Sequence, residues 1–274
     1  MRAGSRSRVT VDFEHSSMPR FAANLSMMFT EHPFLERFSA AAAAGFQATE
    51  FLFPYDFEPE ALQRALGAHQ LRQVLFNLPP GDFAAGERGI AVLPDRQNEF
   101  KESVHRALEY ARALHCPRLH VMAGNCNGID RQQLRRSFFK SLTFALDRVS
   151  GSGITLLIEP LNRYDAPDYF LNSFDLANQI LTDIGSPDLK IQLDWYHAQN
   201  IQGDLTRLTE RLLPSVDHIQ VAGVPKRHEP DDGEINFPHL FDLVDKLGYG
   251  GWIGCEYRPA GRTEEGLGWM RNVT

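Results

Sequence analysis

Eight short apolar runs, each followed by a longer segment with apolar residues at helical spacing, limit what this 274-residue chain can fold into. The runs are FAANLS (21–26), ATEFLF (48–53), RQVLFNLP (72–79), RLHVMAG (118–124), TLLIEPLN (155–162), KIQLDWYH (190–197), HIQVAG (218–223) and WIGCEY (252–257). Near-continuous apolar strands are buried on both faces, and a parallel sheet covered by helices provides that. Segments such as PFLERFSAAAAAG and EFKESVHRALEYARALH supply the covers. Eight such units in ~250 residues suit a closed (β/α)8 TIM barrel, an α/β fold, better than an open doubly wound sheet. No Pro/Gly/Ser-rich linker interrupts them, so residues 18–274 read as a single barrel domain. Residues 1–17, MRAGSRSRVTVDFEHSS, are polar, mildly basic and without a sustained period, and read as a flexible N-terminal extension.

Composition narrows the function classes. A hydrophobic fraction of 43% in a chain of this length is enough for a full core. A net charge of −7, with acidic residues scattered along the chain, argues against a phosphate-backbone partner, so no nucleic acid is expected. Cys116, Cys126 and Cys255 form neither an even disulfide set nor a CxxC pair, and read as reduced thiols of a cytoplasmic protein. No apolar run approaches the ~20 residues that cross a bilayer, and no leader pattern precedes the barrel, so no membrane partner is expected.

In a barrel of this kind the chemistry lies at the C-terminal rim of the strands. The last four runs each place an oxygen donor there: Glu159 in LLIEP, Asp194 in IQLDW, Gln220 in HIQVA and Glu256 in GCEY. Any one of these carboxylates, taken alone, reads as readily as a helix cap or an ion-pair partner. Three carboxylates and an amide converging on one barrel mouth repel one another, and a hard divalent cation relieves that. A divalent metal held by Glu159, Asp194, Gln220 and Glu256 is therefore expected.

The segments RFAANLSMMFTEHPFLERF, EFLFPYD, NLPPGDFAAGERGI, KRHEPDDGEINFP and YGGWIGCEYRPAGRTEEGLGW carry a resemblance that runs from about Met18 to Trp269. They are similar to the hydroxypyruvate isomerase family, with its 2-oxo-tetronate isomerase branch, among the xylose-isomerase-like barrels. The resemblance implies that Glu159 and Glu256 are the paired catalytic glutamates and that Asp194 and Gln220 complete the metal sphere. It implies that His197 and Arg227 touch substrate. Many relatives carry histidine where Gln220 stands, and an amide oxygen suits Mg²⁺ or Mn²⁺ better than zinc.

The implied reaction converts hydroxypyruvate to tartronate semialdehyde, or 2-oxo-tetronate to 3-oxo-tetronate, by proton transfer through an enediolate. One carboxylate takes a proton while another acid returns one, and a cation stabilises the oxygens between them. A small oxo sugar acid as substrate calls for a fixed cation in the pocket, and Arg88 in GERG and Arg227 in KRHEP are the candidates. Asn77, at the end of its strand, joins the substrate-binding set. The glycine-rich stretch 81–89 lacks GxGxxG spacing and reads as a lid. A homo-oligomer is compatible with this reading. Two alternatives share the barrel: a ketose 3-epimerase, suggested by EPLNRYD (159–165), and more remotely a nuclease of the endonuclease IV type, which needs a histidine-rich trinuclear zinc site and a basic face.

Overall fold

The computed structural model describes residues 19–272, so the extension expected over residues 1–17 lies outside the described residues. The eight strands are β1 (Arg20–Asn24), β2 (Ala48–Glu50), β3 (Arg72–Asn77), β4 (Arg118–His120), β5 (Thr155–Ile158), β6 (Leu189–Asp194), β7 (Val216–Val221) and β8 (Trp252–Cys255). They pair in parallel and in chain order, and β8 returns to β1 to close the barrel. The helices of the described residues are α1 (Arg37–Ala43), α2 (Pro59–Ala68), α3 (Gln97–Leu114), α4 (Arg131–Val149), α5 (Phe174–Ile184), α6 (Trp195–Ile201), α7 (Leu205–Leu212) and α8 (Phe237–Lys246). A 3-10 segment, Thr263–Asn272, follows the last strand. This is the (β/α)8 TIM barrel expected from the alternation.

Alternation along each strand sorts side chains between two cores. Outward residues such as Phe76, Leu119, Ile158, Leu193, Ile219 and Ile253 join the helices in one large apolar cluster. Helix α3 shows how the sequence meets them: Phe100, Val104, Ala107, Leu108, Ala111 and Leu114 recur at three- and four-residue spacing and are its buried face. Ala22, Ala48, Val74, Leu75 and Leu157 form a small apolar plug with Trp252, the neighbours Val74 and Leu75 both joining it where the β2–β3 register shifts.

The strands are shorter than their apolar runs suggest. The largest shortfalls, three or four residues each, include β2, which ends at Glu50, β4 at His120 and β5 at Ile158. The run 190–197 ends as a strand at Asp194, and WYH begins α6. The reason is local: Asp194 Oδ1 accepts the Tyr196 backbone N–H at 2.8 Å, which caps a helix start and stops the extended backbone.

Above the apolar plug every strand carries a buried polar residue at or next to its C-terminal end: Asn24, Glu50, Asn77, His120, Glu159, Asp194, Gln220 and Glu256. Some of these groups satisfy each other. Glu50 accepts from Asn24 Nδ2 at 3.0 Å, from Gln220 Nε2 at 2.7 Å and from His218 Nε2 at 2.6 Å. Gln192 Nε2 donates to Gln220 Oε1 at 2.6 Å. A carboxylate with no exposed surface is tolerable because its lone pairs are filled this way. The space for it comes from Gly254 on β8, where an added Cβ would lie 2.2 Å from Glu50 Oε2.

Gly254→Ala should therefore push the Glu50 carboxylate off its donors and destabilise the barrel by ~1–3 kcal/mol, the usual range for overpacking. Urea denaturation reads this as a lower midpoint at unchanged slope. An unchanged midpoint would show that Glu50 has room to move.

Candidate functional site

A cavity of about 720 Å³ opens at the C-terminal rim, and Asn77, Arg88, His120, Glu159, His197, Arg227 and Glu256 are among its walls. Six residues expected to form the site therefore share one cavity, namely these seven without His120. Asp194 and Gln220 lie against the barrel interior, with at most 1% of their surface exposed.

Asp194 answers for both readings of a strand-end carboxylate. One oxygen is the cap of α6. The other, Oδ2, is buried without a hydrogen-bond partner, 3.6 Å from Arg227 Nη2 and 3.7 Å from His197 Nε2. Burial pushes its pKa up to about 6, against the pull of Arg227 and the Tyr196 N–H.

Arg227 sits at the centre of the charges. Its guanidinium lies 3.3 Å from Glu256 Oε2 and 3.6 Å from Asp165 Oδ2, and stacks over Tyr196 with its carbon 4.8 Å from the ring centre. The backbone that delivers it is left-handed, with φ 58°, and is held by the Arg227 N–H donating to Gly223 O at 2.7 Å. Burial works to lower the pKa of this guanidinium, and Glu256, Asp194, Asp165 and Glu159 together raise it.

The two glutamates are unusual for their neighbourhood. Burial, with Glu256 and Asp194 added, holds Glu159 well above the ordinary carboxylate range, and its Oε1 has no partner. Burial pushes Glu256 up to about 8, opposed by Arg227. Burial thus raises both carboxyls above the ordinary carboxylate range, toward the pH at which such a group can take or give a proton.

His197 is oriented by Asn162. The Asn162 backbone N–H reaches His197 Nδ1 at 3.1 Å, and its side-chain Nδ2 lies 2.8 Å from the same atom. A backbone N–H can only donate, so Nδ1 is the acceptor and the ring proton of the neutral form sits on Nε2. Burial, with Arg227 and His120, keeps the ring neutral. Glu159, Asp194 and His197 each have one ligand-capable atom within 4.8 Å of the others. A protonated Nε2 has no lone pair for a cation, so His197 presents a donor to the cavity and the carboxylates remain as ligands.

The donor set fits a hard divalent ion. Glu159 Oε1 and Asp194 Oδ2 are buried carboxyl oxygens with no partner, and Gln220 Oε1 is turned away from Glu50 by the amide's own bonding and keeps one lone pair beyond the Gln192 bond. Glu256 already faces the Arg227 guanidinium, so that side chain balances part of the charge.

The lid reading of residues 81–89 finds a loop braced from within. Ala85 N–H bonds Asp82 Oδ1 at 2.9 Å, Glu87 pairs with Arg96, and Asn125 Nδ2 donates to Gly86 O at 3.1 Å. Gly89, at φ 102°, lets the loop lie on β4's exit, since a Cβ there would meet Met122 O at 2.2 Å. Arg88 points its charge to the cavity wall, stacked 4.1 Å from the Phe83 ring centre and donating to the carbonyls of Phe83 and Glu87.

Sequence reasoning overlooked Glu50, His120, Asn162, Gln192 and His218. The signal for Glu50 and His120 is the same polar strand end that marks Asp194, hidden because apolar residues continue beyond ATE and RLH. Nothing in the sequence marks Asn162, whose role depends on a helix 35 residues away.

A family profile described as a xylose isomerase-like TIM barrel matches residues 38–273. The chain is 52% identical over 255 residues to a 2-oxo-tetronate isomerase of Cupriavidus necator, covering 93% of this chain and 98% of that one. It is 43% identical over 254 residues to the hydroxypyruvate isomerase of Escherichia coli, covering 92% and 98%. A solved structure from Brucella melitensis, described as an AP endonuclease of family 2, superposes with a TM-score of 0.92 at 51% identity, covering 93% of this chain and 99% of that one. A D-psicose 3-epimerase from Clostridium cellulolyticum shares the fold at 15% identity, with a TM-score of 0.78 and coverage of 93% and 99%.

The elevated Glu256 pKa has a consequence for stability. The folded state holds this proton up to about 8, whereas an ordinary glutamate releases it near 4.5, so its contribution is complete below 4.5 and is lost as pH rises through 8. In chelator-treated protein, the melting temperature of Glu256→Gln relative to wild type should climb between those pH values and level off above them. A gap that stays constant across the range would show that Glu256 ionises normally.

Proposed function

The chain belongs to the xylose isomerase-like TIM-barrel family and is an isomerase, and from that premise we propose that it interconverts short oxo sugar acids by moving a carbonyl to the neighbouring carbon. The reading rests above all on one observation: Glu159 and Glu256, both buried and both raised above the ordinary carboxylate range, line a single cavity. The names of the relatives supply the substrate class, 2-oxo-tetronate or hydroxypyruvate.

One carboxylate takes the proton from the hydroxyl-bearing carbon, leaving an enediolate, and the other carboxyl returns a proton to the former carbonyl carbon. Asp194 and Arg227 hold the charge around them, and His197 Nε2–H donates to a substrate oxygen, its tautomer set by Asn162. A magnesium or manganese ion held by Glu159, Asp194, Gln220 and Glu256 would act as a Lewis acid toward the two substrate oxygens.

The substrate carboxylate needs a cation that the protein has not already spent. Arg227 is matched by Asp165, Asp194 and Glu256, and Lys226 faces Asp232 at 3.7 Å. Arg88 binds only two backbone carbonyls and an aromatic face among the described residues, so it is the better carboxylate anchor. The nuclease named for the Brucella structure would need more metal-binding imidazoles than this cavity offers, where the sole metal-capable cluster of the described residues uses His197.

Purified protein should turn over 2-oxo-tetronate or hydroxypyruvate, with turnover raised by Mg²⁺ or Mn²⁺. Turnover of a neutral ketose alone would replace this reading with a 3-epimerase. Glu159→Gln and Glu256→Gln should each lower turnover and solvent deuterium incorporation by at least ~10²-fold, the usual share of a general acid or base, in folded protein. Near-wild-type exchange in either variant would remove the two-glutamate mechanism. Arg88→Met should cost ~1.5–3 kcal/mol in kcat/KM on acid substrates and little on a neutral sugar, the range for a hydrogen bond to a charged group. An equal loss on both would place the carboxylate elsewhere.

A further inference from the structure

His120 closes β4 and is buried in the cavity wall at 1% exposure. Neither ring nitrogen has a hydrogen-bond partner in the protein. Its nearest polar neighbour is Glu159, whose Oε2 lies 3.6 Å from Nδ1. A histidine with only a packing role is satisfied by the protein or replaced by an apolar residue, because a buried unpaired N–H is costly. His120 meets neither condition. Its partners must come from Glu159 by a small closure and from whatever fills the cavity.

We propose that His120 is the positioning residue for Glu159: Nδ1–H donates to Glu159 Oε2 when substrate is bound, and Nε2 accepts a hydroxyl of the substrate. The inference rests on the isomerase reading above. The separation of 3.6 Å is slightly beyond a hydrogen bond, as such contacts often are before a ligand tightens the site. A neutral imidazole carries one N–H and one lone pair. With the N–H on Nδ1, the lone pair of Nε2 is left for the cavity. The other neutral tautomer would set a lone pair against the ionised carboxylate, the form in which Glu159 takes a proton. By this arrangement one Glu159 oxygen is pinned and the other, Oε1, which has no partner of its own, is left to face the reacting carbon.

Two substitutions separate the edges of the ring. The amide of asparagine places its N–H close to the position of Nδ1, and that of glutamine close to Nε2. The measurement is kcat and KM of wild type, His120→Leu, His120→Asn and His120→Gln on the oxo acid that wild type processes best, with melting temperatures as a check of folding. His120→Leu should lose at least tenfold in kcat. His120→Asn should recover part of kcat while KM stays raised, and His120→Gln should recover none of kcat. Wild-type kcat in His120→Leu, or equal kcat in the asparagine and glutamine variants, overturns the proposal. If His120→Leu does not fold, the comparison of asparagine with glutamine decides alone. If wild type processes no oxo acid, the reading of the preceding section falls, and the same variants tested on the sugar that wild type does process still decide the role of His120.

Discussion

The constraint on which the rest of this structure depends is the polar ring inside a closed barrel. Eight parallel strands close without an edge, yet each carries a buried polar group at or next to its end. Each such group must find a partner within the barrel or be held unpaired at a cost. The chain does both.

Across the barrel interior, between β1 and β2 and the facing β6 and β7, one set of groups completes itself. Asn24, Glu50, His218, Gln220 and Gln192 form a continuous network in which Glu50 is filled by three donors, and Gly254 leaves the volume it occupies. This network does more than stabilise. By taking the N–H side of the Gln220 amide, Glu50 decides which way its carbonyl faces.

A second set stays open. Glu159, Asp194 and His120 keep atoms without partners, and the Arg227 guanidinium is shared among Asp165, Asp194 and Glu256 at distances of 3.3 to 3.6 Å. Those separations are loose for ion pairs in a buried place. They leave a pocket able to accept further charge, while burial raises the carboxyl pKa values in the direction acid–base exchange requires, against the pull of Arg227. Stability and reactivity are thus divided between two sets of groups in one ring.

Much of this was legible in the chain itself. Period and length determined the eight strand–helix units and hence the closed barrel, because near-continuous apolar strands have few other ways to be buried. A polar residue breaking an apolar run determined where Glu159, Asp194 and Glu256 would stand. Only the tertiary structure decided what each of them touches. The sequence does not say that Asp194 spends one oxygen on a helix cap and keeps the other, since both uses read alike in IQLDW. Nor does it bring Glu50 to His218 and Gln220 across 168 and 170 residues, or Asn162 to His197. Hydrophobic period is a property of neighbours along the chain, whereas hydrogen-bond partners are set by barrel closure, which joins residues that no local pattern relates.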